Sequence, residues 1–322
     1  MDDFTRNASP RIIAIGASSG GVDAIFKLAA SLEPDFPVPI LFTQHMGSYP
    51  SELWRFVSAR GANAAVHPTD GEIPQAGKIY IAPPDHHMLF EGGALRLHRG
   101  PKEHHARPAI DPMFRSVALS CGDNAIGVVL TGMLDDGAAG LKAIKECGGI
   151  AVVQDPADAE APSMPISALE AVDADHVVAL DALGPLLGKL ARSAPKKGSP
   201  MEQEKWRRED LRGLSGQAMM ENLQAIGSLS SFTCPDCGGS LFELNDNRPV
   251  RYRCHTGHAF SLRSLASLQE ELIDSAVWTS VRALQESEAV FRRLAADGAS
   301  AFAQDSAKAL HSANRLAELS QN

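Results

Sequence analysis

Apolar, β-branched segments alternate with amphipathic segments over residues 11–190. The first apolar segment ends in small residues at 16–21, and a helical pattern of apolar side chains then begins at Val22. This order predicts a strand, a tight turn and a helix. The apolar segments predict strands at 11–16, 38–44, 78–82, 125–131, 149–154 and 176–180. The amphipathic segments predict helices at 21–32, 50–59, 111–120, 136–147, 165–172 and 182–192. Such alternation predicts an α/β fold: a doubly wound, mostly parallel sheet of the Rossmann-like kind.

The remaining segments follow other patterns. Residues 86–99 predict a β-hairpin that turns at Gly92 and Gly93. A long amphipathic helix is expected over 261–296 and a second helix over 300–320. We expect a domain at 1–192, a linker at 193–200, a connecting helix at 201–229, a small module at 230–260 and a helical hairpin at 261–322. The hairpin could pack on itself or on the small module, or it could present a partner or dimer surface.

Composition and charge exclude several classes of protein. The 322 residues are 44% hydrophobic, enough for a sizeable core, and carry a net charge of −9. The negative charge argues against binding to nucleic acid or to an anionic membrane. Apolar segments are too short for membrane insertion, and the acidic N-terminus does not resemble a signal peptide. We therefore expect a cytoplasmic protein.

Three predicted strands end in residues that suit hydrolysis. Ser18 follows the first strand in a Gly-x-Ser-x-Gly pattern, His45 follows the second, and Asp135 and Asp136 follow the strand at 125–131. If the strands are parallel, their carboxyl ends place a nucleophile, a base and a carboxylate together. Ser18 and the two aspartates also have a simpler interpretation, because serine and aspartate cap helices at such turns. Dinucleotide binding is disfavoured, since His45 stands where an acidic residue is expected.

Residues 11–192 resemble the catalytic domain of the CheB protein-glutamate methylesterases of bacterial chemotaxis. The resemblance rests on six motifs in order: Ile15-Gly16-Ala17-Ser18-Ser19-Gly20-Gly21, Thr43-Gln44-His45-Met46, residues 79–88, residues 107–114, residues 130–140 and Met164-Pro165.

This resemblance implies hydrolysis of glutamate methyl esters, and deamidation of some glutamines, on the cytoplasmic helices of methylated chemoreceptors. It implies Ser18 as nucleophile, His45 as base, Asp136 as the orienting carboxylate and the backbone amide of Met133 in the oxyanion site. No cofactor is needed for this chemistry. Surface or structural ion pairing is the expected role of Arg107 and Arg115, and loop positions are expected for His86, His87, His104 and His105.

The chain departs from the best-known members of that family, which carry an N-terminal receiver domain. Only about ten residues precede the first predicted strand. We therefore expect a stand-alone form, open or controlled in trans or by the C-terminal region.

A second motif lies in that region and predicts a structural zinc ribbon. Cys234 and Cys237 are followed, after sixteen residues, by Cys254 with His255 and His258 close behind. This spacing is typical of tetrahedral zinc sites. We predict Cys234, Cys237, Cys254 and His258 as ligands, with His255 as the alternative to His258. A reactive dithiol is the competing interpretation, but it lacks a βαβ context.

The functional hypothesis is a Ser-His-Asp hydrolase acting on glutamyl methyl esters of signalling proteins. Two alternatives remain open: a non-catalytic, zinc-containing adaptor in a signalling complex, and a serine esterase with another ester substrate. The presence of all three triad residues favours an enzyme over an adaptor.

Overall fold

The computed structural model describes residues 11–194, 203–209, 216–297 and 301–319. The first ten residues, most of the predicted linker and parts of the connecting segment lie outside these ranges. Two compact units are present, Met1–Ser264 and Leu265–Asn322. No helix among the described residues combines the length and apolarity needed to cross a bilayer.

A seven-stranded sheet forms the centre of the first unit. Its strands are β1 (Ile12–Ala17), β2 (Ile40–Gln44), β3 (Ala64–Val66), β4 (Lys78–Ile81), β7 (Ala125–Val129), β8 (Ile150–Gln154) and β9 (His176–Val178). They run parallel in the order β3-β4-β2-β1-β7-β8-β9. The predicted doubly wound sheet is therefore confirmed. The strand β3 was not predicted, because three residues carry too little periodicity to stand out.

Helices cover both faces of this sheet. They are α1 (Gly21–Ser31), α2 (Leu53–Ser58), α3 (Ile110–Cys121), α4 (Ala138–Glu146), α5 (Ser163–Ala171) and α6 (Leu180–Ala191). Along β1, Ile12 and Ala14 join the core on one face, whereas Ile13 and Ile15 join the core on the other. A strand buried on both faces needs apolar residues at every position, which explains the continuous apolar segments of the sequence.

The order in which successive strands are added to the sheet changes direction between β1 and β7. The connection from β1 through α1 leads to β2, whereas the connection from β7 through α4 leads to β8 on the opposite side. A crevice forms outside the carboxyl ends of the strands at such a point. The loops that follow β1, β2 and β7 therefore meet at this edge of the sheet.

A predicted hairpin adds a small second sheet. It consists of β5 (His87–Glu91) and β6 (Ala94–His98), which pair antiparallel. Gly92 and Gly93 both have positive φ, +58° and +82°. A two-residue turn with two positive φ angles matches the right-handed twist of the flanking strands, and glycine adopts that geometry without steric cost.

The C-terminal part of the first unit contains α7 (Gln203–Arg208), α8 (Gly216–Ile226) and a four-stranded antiparallel sheet. The strands are β10 (Gly227–Thr233), β11 (Ser240–Asn247), β12 (Val250–Cys254) and β13 (Ala259–Ser261), in that order. We call residues 227–261 the ribbon module.

Two groups of contacts attach these elements to the central sheet domain. Trp206 of α7 is fully buried in the core that also contains residues of α3 and α4, and its indole N–H donates to Glu146 at 2.8 Å. Arg251 of β12 donates two hydrogen bonds to Glu209, at 2.6 and 2.8 Å. The segment 203–209 therefore contacts both the sheet domain and the ribbon module.

The second unit contains most of α9 (Leu262–Ala296) and all of α10 (Phe302–Leu319). The two helices contact each other through Phe291 and Phe302, whose rings stack 5.8 Å apart. Ser306 also donates to Glu288 at 3.2 Å. These contacts describe a helical hairpin, and the periodicity of the sequence predicts its two helices.

Candidate active site

Ser18 lies in the turn between β1 and α1. Its backbone N–H donates to Thr131 at 3.0 Å, and its carbonyl accepts from the side chain of Gln44 at 2.7 Å. The turn is therefore tied to the loop after β7 and to the end of β2. The residue is half-buried, and its hydroxyl makes no hydrogen bond within the described part of the chain.

Two glycines allow the Ser18 turn and the loop after β7 to lie close together. A Cβ on Gly132 would lie 2.0 Å from the sulfur of Met164 and 2.9 Å from the Cβ of Ser18. Gly20 has a φ of +76°, a region that side chains with a Cβ rarely adopt. The small residues around Ser18 thus allow three loops to pack against one another at the edge of the sheet.

His45 follows β2 and contacts Asp136, which follows β7. The Nε2 nitrogen of His45 donates to Asp136 Oδ2 at 2.6 Å. The histidine side chain is 22% exposed, whereas the aspartate side chain is 2% exposed. The buried carboxylate therefore orients a ring whose other nitrogen, Nδ1, is left for a second partner.

Asp136 accepts hydrogen bonds from two segments of the chain. Its Oδ2 also accepts from the backbone of Ile110 at 2.7 Å, and its Oδ1 accepts from the backbone of Asp111 at 3.0 Å. Burial by itself raises the pKa of a carboxyl, but the nearby charge of His104 and the hydrogen bond from His45 hold the pKa of Asp136 well below its usual range. Asp136 is therefore an anion at neutral pH.

Met133 lies in the same loop after β7. Its backbone N–H makes no hydrogen bond within the described part of the chain, so this donor is free for a ligand. The next residue, Leu134, has a φ of +61°, and its carbonyl accepts from Ser163 and Ser167. These contacts hold the loop that carries the predicted oxyanion donor.

Residues 13–187 match the sequence profile of the CheB methylesterase family. The chain belongs to the CheB methylesterase family. That segment contains β1 from Ile13 onward, the three loops described above and the other six strands of the central sheet.

Relatives of this family agree over the same segment. A Leptospira interrogans protein with the provisional name protein-glutamate methylesterase/protein-glutamine glutaminase is 38% identical over 180 residues, 55% of this chain and 93% of that protein. Protein-glutamate methylesterase/protein-glutamine glutaminase 1 of Paramagnetospirillum magneticum is 37% identical over 56% of this chain and 49% of its own length. The crystal structure of the Thermotoga maritima CheB methylesterase catalytic domain is 30% identical, with a TM-score of 0.54, and covers 56% of this chain and 99% of that chain.

The predicted metal ligands come together in the ribbon module. The Nδ1 nitrogen of His258 lies 3.7 Å from the sulfur of Cys234 and 3.5 Å from that of Cys254, and the sulfurs of Cys237 and Cys254 are 3.8 Å apart. All four donor atoms lie within 4.8 Å of one another. A tetrahedral zinc with zinc–sulfur bonds of about 2.3 Å separates its sulfur ligands by about 3.8 Å. The donor set therefore fits zinc in both chemistry and spacing.

Two tight turns create this arrangement. In the first, the N–H of Gly238 donates to Cys234 at 2.8 Å, and in the second, the N–H of Gly257 donates to Cys254 at 2.9 Å. His255 is exposed and does not belong to the cluster. With four protein ligands, such a site has no open position for catalysis.

A second group of donor atoms lies next to Asp136. Atoms of His104, Asp111 and Asp136 fall within 4.8 Å of one another. However, the Nε2 nitrogen of His104 makes a direct hydrogen bond to Asp111 Oδ2 at 3.1 Å. A direct hydrogen bond and several surrounding carboxylates suit a protonated imidazole better than a metal ligand.

The other residues singled out from the sequence have structural contacts. Arg107 pairs with Asp85 at 2.5 Å, and Arg115 pairs with Glu103 at 2.5 Å. Asp135 is buried and accepts from Ser261 of β13 at 2.6 Å. Burial raises the pKa of Asp135, partly countered by His104 and Ser261.

The sequence did not predict that the side chains of His104 and of His87 in the hairpin are buried. Both lie in segments that look polar and loop-like, yet His104 is 6% exposed at its side chain and His87 is buried in β5. Burial lowers the pKa of His87. No sequence signal distinguishes these histidines from the exposed His105, because their burial depends on contacts with residues distant in the chain, such as Ala259 for His104 and Ala109 for His87.

Proposed function

We propose that this chain hydrolyses methyl esters of glutamate side chains on the cytoplasmic helices of chemoreceptor-like proteins, and deamidates glutamines at equivalent positions. Water and the ester give a carboxylate and methanol. The observation that carries the proposal is the His45–Asp136 hydrogen bond of 2.6 Å beside the Ser18 turn, within a segment that belongs to the CheB methylesterase family.

In this proposal Ser18 is the nucleophile and His45 is the general base. Because Nε2 of His45 donates to Asp136, Nδ1 carries the lone pair that accepts the proton of the Ser18 hydroxyl. The same nitrogen then returns the proton to the departing methoxide. Asp136 keeps the ring in this tautomer and stabilises the transient imidazolium. Catalytic contacts of this kind commonly tighten only when substrate is bound.

The backbone amide of Met133 is the proposed oxyanion donor. Support for this role comes from its lack of any hydrogen bond within the described residues and from its place in the loop that also bonds to the Ser18 backbone. A donor of this kind typically contributes about 3 kcal/mol of transition-state stabilisation.

The ribbon module is proposed to hold one structural zinc through Cys234, Cys237, Cys254 and His258. When bound, the metal supplies a cross-link between two turns that bury little apolar surface. We further propose that the chain acts in the cytoplasm and that the hairpin of α9 and α10 binds a signalling partner. Exposed apolar side chains at Leu272, Ile273 and Trp278 support such a surface.

Methanol release from methylated receptor helices tests the proposed activity. We expect the wild-type chain to release methanol, and the Ser18→Ala variant to lose about 10⁴-fold or more in kcat because the nucleophile is gone. Ser19→Ala is the matched control, since Ser19 is an exposed serine next in the chain. Circular dichroism would establish that both variants are folded.

The outcomes separate the alternatives. Turnover retained by the Ser18→Ala variant would contradict the triad. A wild-type chain that hydrolyses other esters but not receptor helices would support the esterase alternative. A folded chain with no esterase activity would support the adaptor alternative.

A further inference from the structure

A buried histidine stands behind the proposed triad aspartate. The Nε2 nitrogen of His104 lies 3.1 Å from Asp111 Oδ2 and 3.7 Å from Asp136 Oδ1, and its Nδ1 lies 3.8 Å from Asp135 Oδ1. The side chains of these three aspartates are 2 to 3% exposed. His104 is therefore a basic side chain that faces three buried carboxylates, one from α3 and two from the loop after β7.

The surroundings of His104 favour its charged form. Burial alone would lower the pKa of this imidazole, but the charges of Asp136, Asp111 and Asp135 and the hydrogen bond to Asp111 raise it to about 10. The Nδ1 nitrogen is buried and makes no hydrogen bond in the described part of the chain. The atom of an acidic group recorded near that nitrogen is Asp135 Oδ1, at 3.8 Å, so Asp135 acts on His104 through its charge and not through a hydrogen bond.

Neighbouring segments hold His104 in this position. Its backbone N–H donates to Ala259 of β13 at 2.8 Å, and its φ is +53°, a region that non-glycine residues rarely adopt. The preceding Glu103 accepts from Arg115 of α3 at 2.5 Å and from Arg253 of β12 at 3.1 Å. Residues of both the ribbon module and the sheet domain therefore contact Glu103 and His104.

We propose that His104, held against β13 of the ribbon module, is a positioning residue for the triad: its positive charge keeps Asp136 in place to orient His45. This inference rests on the proposed function. It also assigns the ribbon module a role in the reaction, because one of its strands fixes the backbone of His104. The structural zinc is not required to touch the reacting atoms.

His104 is proposed to hold Asp136 in place by electrostatic attraction. Without a cation at position 104, Asp136 would lose the charge that acts on it most strongly, while the buried carboxylates of Asp111 and Asp135 would remain nearby. The charges of Arg115 and Arg251 act on Asp111, and neither arginine forms an ion pair with Asp136 among the described residues. Repulsion would then displace the Asp136 carboxylate or favour its protonation. Either change weakens its hydrogen bond to His45, which lies on the far side of the carboxylate.

The test compares His104→Gln with His105→Gln in the full chain. Glutamine keeps a hydrogen-bond donor but removes the charge. His105 is the adjacent, exposed histidine, and its contact is with Asp236 rather than with the triad. We expect His104→Gln to lower kcat for methanol release at least about 10-fold with KM unchanged, the pattern of a loss confined to the transition state. His105→Gln should match the wild type in both constants.

Two NMR signals give readouts that need no substrate. The downfield proton of His45 Nε2, hydrogen-bonded to Asp136, should be present in the wild type and in His105→Gln, and shifted or lost in His104→Gln. In the wild type at about pH 8, both ring nitrogens of His104 should carry protons, although an ordinary histidine is neutral there.

The outcomes are separable from those of the proposed function. An inactive wild-type chain would contradict the methylesterase proposal. The comparison of the His45 Nε2 proton signal between the wild type and His104→Gln would still test whether His104 positions Asp136. An active His104→Gln variant with unchanged kcat and an unchanged His45 signal would overturn the inference alone. If His104→Gln does not fold, a singly protonated His104 ring in the wild type would overturn it as well.

Discussion

At the scale of single residues, Asp136 connects two segments that are distant in the chain. Its two oxygens accept from His45, from the backbone of Ile110 and from the backbone of Asp111. Asp135, next in the chain, faces Ser261 instead. Two adjacent carboxylates therefore have different surroundings, because successive side chains in the loop point in different directions.

This difference predicts unequal effects of the same substitution. Asp136→Asn should lower kcat by about 10⁴-fold while leaving the fold intact, because asparagine stabilises the wrong tautomer of His45. Asp135→Asn should cost far less, since its side chain does not contact His45. The measurement is methanol release under saturating substrate, with folding checked by circular dichroism. A larger loss in Asp135→Asn than in Asp136→Asn would show that the roles are reversed.

At the scale of elements, the ribbon module combines short strands with a proposed metal site. Its two turns bring three sulfurs and one imidazole nitrogen within 4.8 Å. Antiparallel strands of three to eight residues bury too little apolar surface to be stable alone, so a metal cross-link is expected to contribute much of the stability.

The choice of imidazole ligand can be tested with a matched pair. His258→Gln should weaken zinc binding, because the Nδ1 nitrogen of His258 completes the cluster. His255→Gln should retain the metal, since His255 is exposed and outside it. Zinc content of the purified proteins and resistance to a chelator are the measurements. Wild-type protein purified without any bound metal would contradict the predicted ribbon, and loss of zinc only in His255→Gln would reverse the ligand assignment.

At the scale of the whole molecule, the sheet domain and the ribbon module form one compact unit. Within this unit, Trp206 attaches α7 to the core of the sheet domain. It is fully buried in the core near α3 and α4, although the helix that carries it is only six residues long. A short helix of this kind is stabilised by tertiary packing rather than by its own hydrogen bonds.

Truncation of the Trp206 side chain should destabilise the compact unit that contains the sheet domain and the ribbon module. Trp206→Ala should lower the free energy of unfolding by about 3–5 kcal/mol, the usual cost of deleting a buried aromatic side chain. Trp278→Ala is the control, because Trp278 is 46% exposed on α9, and its cost should stay within about 0.5 kcal/mol. Urea denaturation measures both values. Equal stability of the two variants would mean that Trp206 does not anchor the segment.

Most of the fold follows from periodicity that is visible in the chain. The buried parallel strands read as continuous apolar segments because both of their faces are covered, as Ile12 and Ile13 illustrate. The hairpin at Gly92 and Gly93 follows from the positive φ that its turn requires. The short strand β3 could not be predicted, because its pairing with β4 is a tertiary contact.

The sequence by itself determined the doubly wound sheet, the family and the residue types at the three strand ends. It also determined the Cys/His spacing of the ribbon module, because local turns and strand periodicity depend on neighbouring residues in the chain. Only the tertiary structure decided which nitrogen of His45 faces Asp136, and only packing buried His104 among three carboxylates. His45 and Asp136 are 91 residues apart in the chain, and the position of His104 depends on a backbone hydrogen bond to Ala259 of the ribbon module, so no local pattern encodes these contacts.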